Sequence, residues 1–141
     1  NSSGVLYAEI AALADDGTTR GISISDGTNN NRPLIFYEPE SNSIRVQIKV
    51  GGVAQCDMEY TVTATTDFHK VAIRWAVNDF SLWIDGVERG TDVSGSIFPA
   101  TTLTTFNFND GGGNEHVYGN TRQVAVYNYL TDAQMISLTT P

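Results

Sequence analysis

Apolar and polar residues alternate along most of this chain, in short β-branched and aromatic runs separated by clusters of Gly, Asn and Asp. That is the pattern of an all-β sandwich. It predicts strands over Val5–Leu13, Gly21–Ser25, Leu34–Tyr37, Ser43–Val50, Ala54–Ala64, His69–Val77, Phe80–Asp85, Thr101–Phe108 and Thr121–Asn128. One helix is expected, at the C-terminus. Thr131-Asp132-Ala133-Gln134 forms a capping box, and Met135, Ile136 and Leu138 supply an apolar face.

Two hairpins can be read more sharply, because residues opposite each other across an antiparallel pair share a face. In the first, Ile44, Val46, Ile48 and Val50 alternate with Arg45, Gln47 and Lys49, and the return strand alternates Cys56, Met58, Tyr60 and Val62 with Gln55, Asp57 and Glu59. A loop of Gly51, Gly52 and Val53 aligns apolar with apolar, setting Arg45 against Glu59 and Lys49 against Gln55. In the second, Val71, Ile73, Trp75 and Val77 face inward with Phe80, Leu82 and Ile84 around an Asn78-Asp79 turn. That register pairs Arg74 with Trp83 on the outer face, flanked by Ala72, Ala76 and Ser81.

Composition narrows the class. A length of 141 residues suits one domain running from end to end, with 40% apolar and 17% charged residues. No apolar run approaches the roughly 20 residues of a membrane span, so membrane insertion is not expected. The chain opens at Asn1 without a signal-peptide pattern, which reads as a domain of a longer protein. A net charge of −8, from 8 basic and 16 acidic residues, disfavours free nucleic acid and anionic membrane surfaces as partners. The lone Cys56 excludes an internal disulfide.

The segments His69-Lys70-Val71-Ala72-Ile73-Arg74-Trp75 and Phe80-Ser81-Leu82-Trp83-Ile84-Asp85-Gly86-Val87 resemble the central hairpin of laminin-G-like domains. Val124-Ala125-Val126-Tyr127-Asn128, followed by Leu130-Thr131-Asp132-Ala133-Gln134, resembles the closing strand and helix of the same fold. Leu6-Tyr7-Ala8-Glu9, Ser25-Asp26-Gly27-Thr28 with Arg32, and Arg74-Trp75-Ala76 followed by Asn78-Asp79-Phe80 are similar to modules in phage tail and virion proteins. The resemblance implies an antiparallel two-sheet jelly-roll sandwich of the concanavalin A-like, laminin-G-like kind. It implies an extracellular or virion setting and a carbohydrate or host-surface glycan as partner. The cysteine pair of many animal laminin-G domains is absent. Because many functions share this sandwich, the site must be argued from its own residues.

Catalysis finds little support. Concanavalin-like glucanases carry Glu-x-Asp-x-Glu on one strand, and Gln55-Cys56-Asp57-Met58-Glu59 has a similar spacing with an amide where the nucleophile would stand. Asp57 and Glu59 would lie about 7 Å apart along a strand, against roughly 5–5.5 Å for retaining chemistry. His69 and His116 are the only histidines and no Gly-x-Ser-x-Gly elbow is present. Gly111-Gly112-Gly113 matches no phosphate-binding fingerprint. Asn107, Asn109, Asp110, Asn114 and Glu115 crowd one Gly-rich loop with hard oxygen donors. Asp110, Asn107 and Glu115 are therefore candidate calcium ligands, although ordinary turn chemistry uses the same residues.

Neutral sugars are held by aromatic faces stacked on C–H groups, with amides, carboxylates and arginines bonding the hydroxyls. Trp83 beside Arg74 on the outer face would offer such a platform. The same pair could instead form a cation–π contact with no ligand. Tyr37, by parity, and Arg32, Asp26 and Asn109, in the loops, join them as candidate sugar contacts. The reading is a non-catalytic carbohydrate-binding, receptor-binding or adhesion module. The alternatives are a structural or protein-interaction domain of a virion and a glycoside-hydrolase-like relic.

Overall fold

The computed structural model describes residues 2–141. Ten strands precede one helix: β1 (Gly4–Ala12), β2 (Arg20–Ser25), β3 (Arg32–Tyr37), β4 (Ser43–Val50), β5 (Val53–Thr61), β6 (His69–Ala76), β7 (Asp79–Ile84), β8 (Val87–Asp92), β9 (Thr105–Asn107), β10 (Gly119–Tyr127) and α1 (Asp132–Thr139). They form two five-stranded antiparallel sheets, sheet A in the order β10-β1-β6-β7-β8 and sheet B in the order β5-β4-β3-β2-β9. The expected jelly-roll sandwich is present.

Between the sheets lies the main core, in which Leu6, Ile22, Ile35, Ile44, Val46, Ile48, Ile73, Trp75, Phe80 and Leu82 are buried. Phe98, from the irregular segment after β8, plugs this layer edge-on to Trp75 at 6.5 Å between ring centroids. No alternation around Phe98, in Ser96-Ile97-Phe98-Pro99-Ala100, marked that insertion. β8 also escaped prediction, because Val87-Glu88-Arg89-Gly90-Thr91-Asp92 has no apolar alternation; it is an edge strand held by β7 alone. The run expected over 101–108 contracts to β9, since only Thr105–Asn107 finds a partner, in β2.

In the first hairpin the apolar register is as expected: Ile44 opposes Tyr60, Val46 opposes Met58 and Ile48 opposes Cys56. The device differs. Val50 pairs with Val53, so Gly51 and Gly52 alone make the turn, both with positive φ (58° and 81°), where glycine carries no Cβ penalty. A bulge between Ile48 and Lys49 then skips Gln55 and restores the faces, so Lys49 opposes Ala54 rather than Gln55. In the second hairpin Trp75 opposes Phe80, which puts Val77 in the turn at 58% exposure instead of in the core. That slip of two residues preserves every face but sets Arg74 against Ser81 and Trp83 against Ala72. The Asp85-Gly86 turn, with φ of 51° and 78°, is pinned where Asp85 accepts from the Lys70 amide at 2.9 Å and contacts His69 Nδ1 at 2.6 Å.

The helix starts where its capping box predicts. Thr131 Oγ1 accepts from the Gln134 amide, and Gln134 Oε1 accepts from the Thr131 amide at 2.9 Å. Met135 is its buried anchor, Leu138 is partly buried, and Ile136 remains 46% exposed.

Candidate functional site

The outer face of sheet A is closed. Trp83 has the outward parity expected of it, but Met135 seals it together with Val5, Tyr7 and Ala72, leaving it 4% exposed. Its indole Nε1–H donates to Ser81 Oγ at 2.9 Å, so the ring's one polar atom is satisfied inside this second core. Burial pushes the Tyr7 phenol in the same layer up to about 12. The proposed stacking platform is therefore corrected: Trp83 holds a helix, not a sugar.

Arg74 is 5% exposed and tethers the same helix. Its Nη1 donates to Asp132 Oδ1 at 2.5 Å and to the Leu130 carbonyl at 3.2 Å, and Nη2 lies 3.5 Å from Asp79. Its cation–π partner is the Tyr129 ring, at 5.1 Å, and not Trp83. Tyr37 is also corrected. It is 5% exposed and belongs to the inter-sheet core, with Ile35, whereas Leu34 and Phe36 take the other face. Burial alone pushes its phenol well above the usual range.

Arg32, Asp26 and Asn109 hold two loops. The Arg32 guanidinium is buried against Asp110, donating to its carbonyl and lying 3.5 Å from its carboxylate; burial lowers its affinity for the proton, which Asp110 opposes. Asp26 accepts from the Thr28 hydroxyl at 2.6 Å and from Asn31 Nδ2 at 2.7 Å, and these bonds hold its carboxyl below the usual range. Asn109 Oδ1 accepts from the Gly111 amide at 2.8 Å, and its carbonyl accepts from the Ser23 hydroxyl at 2.8 Å. The 108–116 loop is thereby folded down over β2 and the start of β3. Gly111 (φ 86°) permits the contact, since a Cβ there would stand 2.9 Å from Ser25 Cβ and from the Thr28 carbonyl.

Of the candidate calcium donors, Asp110 has its carboxylate engaged within the loop, while Asn107 and Glu115 are held through other atoms. Asp110 Oδ1 accepts from the Gly112 and Asn114 amides at 2.8 and 2.9 Å, and its other oxygen faces Arg32. Asn107 donates to Ser25 Oγ at 3.0 Å, and Glu115 lends its carbonyl to the Gly21 amide. No group of three or more His, Cys, Asp or Glu side chains converges as a metal site among the described residues. Asp110 is a turn acceptor and an arginine partner, which is the chemistry of a loop clasp.

The outer face of sheet B beyond that loop is partly open: Arg45 and Asp57 are each about one-third exposed there, above a buried Phe36. Phe36 on β3 lies beneath the Arg45 guanidinium of β4, 5.8 Å from the ring centroid. Arg45 is gripped from both sides: Nε and Nη2 bond the two Asp57 oxygens at 2.5 and 2.7 Å, and Nη1 bonds Glu38 at 2.7 Å. Gln47 Nε2 adds a bond to Asp57 at 3.0 Å. Those bonds first, and the charges of Asp57 and Glu38 with them, hold the Arg45 guanidinium even more firmly protonated than usual. Burial pushes the Asp57 carboxyl up, but the bonds from Arg45 and Gln47 outweigh it and leave it below the usual carboxylate range. The expected Arg45–Glu59 ion pair does not form, although the two residues are opposite; Glu59 accepts from Ser43 at 2.5 Å instead.

Sequence parity did place Arg45, Gln47 and Lys49 outward. It missed Phe36, because every residue of β3 is buried and no alternation survives to orient it. The strand that resembles a glucanase catalytic strand is not arranged as one. Gln55 is bulged out to accept from the Ser96 amide at 2.9 Å, and Asp57 is committed to Arg45.

Comparison with known proteins bears on the fold. Among solved structures, the carbohydrate-binding domain (CBM40) of the Ruminococcus gnavus IT-sialidase, bound to α2,3-sialyllactose, superposes with a TM-score of 0.75 at 14% identity, over 97% of this chain and 82% of that one. The leech intramolecular trans-sialidase gives 0.73 at 16% identity, over 97% of this chain and 23% of that much longer one. Sheep galectin-11 gives 0.54 at 7% identity, over 89% and 90% of the two chains. At such identities the likeness concerns the fold. No curated protein sequence matches the chain. The family model for the concanavalin A-like lectin/glucanases superfamily matches residues 8–137, nearly the full length, and the chain belongs to that superfamily.

Proposed function

We propose that this domain is a non-catalytic carbohydrate-binding module whose ligand lies on the outer face of sheet B. The observation that carries the proposal is the Arg45 cluster. There the Arg45 guanidinium, the Asp57 carboxylate and the Gln47 amide stand on two adjacent strands, with Arg45 and Asp57 about one-third exposed, and the buried Phe36 ring and Glu38 carboxylate hold the guanidinium from below and from the side. The 108–116 loop walls one side. Such a surface offers both donors and acceptors to sugar hydroxyls from positions that need no reordering on binding. The solved Ruminococcus domain, which holds sialyllactose, supports the class of ligand. The resemblance of Ser25–Thr28 and Arg74–Phe80 to tail and virion modules supports a receptor-binding role outside the cell.

A glycan array followed by titration calorimetry tests the proposal. Arg45→Ala should weaken any glycan bound by the wild type at least tenfold while the melting curve stays cooperative. Trp83→Phe should bind as the wild type does. An array with no glycan above background, or Arg45→Ala binding unchanged, overturns the assignment. Release of reducing sugar from β-glucans above the buffer rate would overturn the non-catalytic part.

One observation favours a second reading, a protein-contact domain. Phe106 and Phe108 meet edge-to-face at 5.3 Å beside edge strand β9 and remain 37% and 48% exposed. A blank array, with self-association abolished by Phe108→Ser, would select it.

A further inference from the structure

Five of the six arginines have a carboxylate partner: Arg20 with Asp16, Arg32 with Asp110, Arg45 with Asp57 and Glu38, Arg74 with Asp132 and Asp79, and Arg122 with Glu9. Arg89 has none among the described residues, in a chain with 16 acidic side chains. Its Nε is buried with no hydrogen-bond partner. The guanidinium is held instead by stacking, 4.4 Å above the centroid of the Tyr60 ring.

A bulge sets this geometry. Opposite β7, Trp83 pairs with Glu88 and Leu82 with Gly90, so Arg89 is the extra residue of β8. Bulges re-aim single side chains, and this one turns Arg89 across the gap between the sheets toward Tyr60 of β5. Beside it opens a cleft of about 130 Å³, lined by Tyr60, Thr61, Thr63, His69, Asp85 and Arg89. His69 and Asp85 are committed to each other at 2.6 Å, with His69 Nε2 also 3.0 Å from the Ala64 carbonyl. The hydroxyls of Thr61 and Thr63, both exposed, have no partner among the described residues. The cleft therefore presents a stacked, unspent planar fork and two free hydroxyls at its mouth.

We infer that this cleft is a second ligand subsite, in which Arg89 receives the carboxylate of an acidic sugar. An arginine pre-oriented by stacking matches a carboxylate in a bidentate way that lysine cannot. The volume suits an acid group and its neighbouring atoms, with the rest of the ring lying outward against Thr61 and Thr63. The inference rests on carbohydrate being the ligand, but uses a different place from the Arg45 face.

The test follows the Arg89 Nε–H and Tyr60 ring resonances by NMR while sodium glucuronate, N-acetylneuraminate, galactose or inorganic phosphate is added to wild type, Arg89→Lys and Arg45→Ala. Both acidic sugars should shift these resonances in the wild type and in Arg45→Ala, and in Arg89→Lys, which lacks the arginine signal, should shift the Tyr60 ring with at least tenfold weaker affinity. Galactose should leave them unmoved and phosphate should bind at least tenfold more weakly than the carboxylates. Silent Arg89 and Tyr60 resonances, an undiminished response in Arg89→Lys, or phosphate binding equal to the carboxylates would overturn it. If acidic sugars bind and only the Arg45 face responds, this inference fails and the proposed function stands. If no sugar moves any resonance, both fail. A two-state melt of Arg89→Lys like that of wild type excludes unfolding as the cause.

Discussion

The two outer faces of this sandwich start from the same kind of pattern and end in opposite states. On sheet A, Trp83, Tyr7 and Arg74 point away from the core, and a helix of eight residues covers them into a second core. On sheet B, Phe36 and Arg45 point away from the core, and the loop that follows β9 stops short, clasped to Arg32. A large aromatic on an outer strand face is thus no sign of a binding platform in itself. What decides is whether another segment reaches it. The capped helix closes one face and leaves Arg45 and Asp57 partly exposed on the other, where the ligand is proposed to lie.

The largest test of that contrast is truncation under the helix. Trp83→Ala should cost about 3–5 kcal/mol, the range for an aromatic removed from a packed core, and a urea titration would read it as a lower midpoint with the same slope. A loss under about 1 kcal/mol would mean the helix does not seal this face. On the other face the clasp should matter more to stability than the Arg45 cluster. Arg32→Ala leaves the Asp110 carboxylate buried with only its two amide donors and should cost about 2–3 kcal/mol. Hydrogen exchange would show the Gly112 and Asn114 amides losing protection first; unchanged protection would break the clasp. Thr131→Ala removes one cap from the covering helix, for about 1 kcal/mol. Its near-neutrality by urea titration would show that Met135 and Arg74 hold the helix without it.

The sandwich was legible because its main core obeys period two: Ile44, Val46 and Ile48 against Tyr60, Met58 and Cys56 leave one register in which apolar meets apolar. The helix was legible because capping is local chemistry. The site was less so, and for identifiable reasons. Trp83 and Tyr37 were misjudged as ligand contacts because burial by α1 or by the opposite sheet is a tertiary fact that strand parity does not carry. Arg45 was drawn to the residue directly opposite, Glu59, whereas its length and fork favour the diagonal Asp57, two residues away on the same face. Arg89 sat in a strand with no alternation, and only the bulge with β7 shows where it points.

The smallest effect is the one that isolates the Arg45 face. Arg45→Ala should cost at most about 1 kcal/mol, since its side chain and that of Asp57 are both about one-third exposed and solvent screens the pair. Its pH dependence distinguishes the network from simple packing. The Asp57 carboxyl titrates lower in the folded protein than in the unfolded chain, so its share of stability is full above the unfolded value of about 3.9 and is lost as pH falls through the folded value. The stability gap between wild type and Arg45→Ala should therefore be full above the unfolded carboxylate value and should narrow as pH falls below it and Asp57 protonates. Urea midpoints measured across that window would show it. A gap that stays constant into acid would mean that Arg45 acts through its stack on Phe36 and not through Asp57, and the acceptors offered to a sugar would then have to be sought in Glu38 and Gln47 instead.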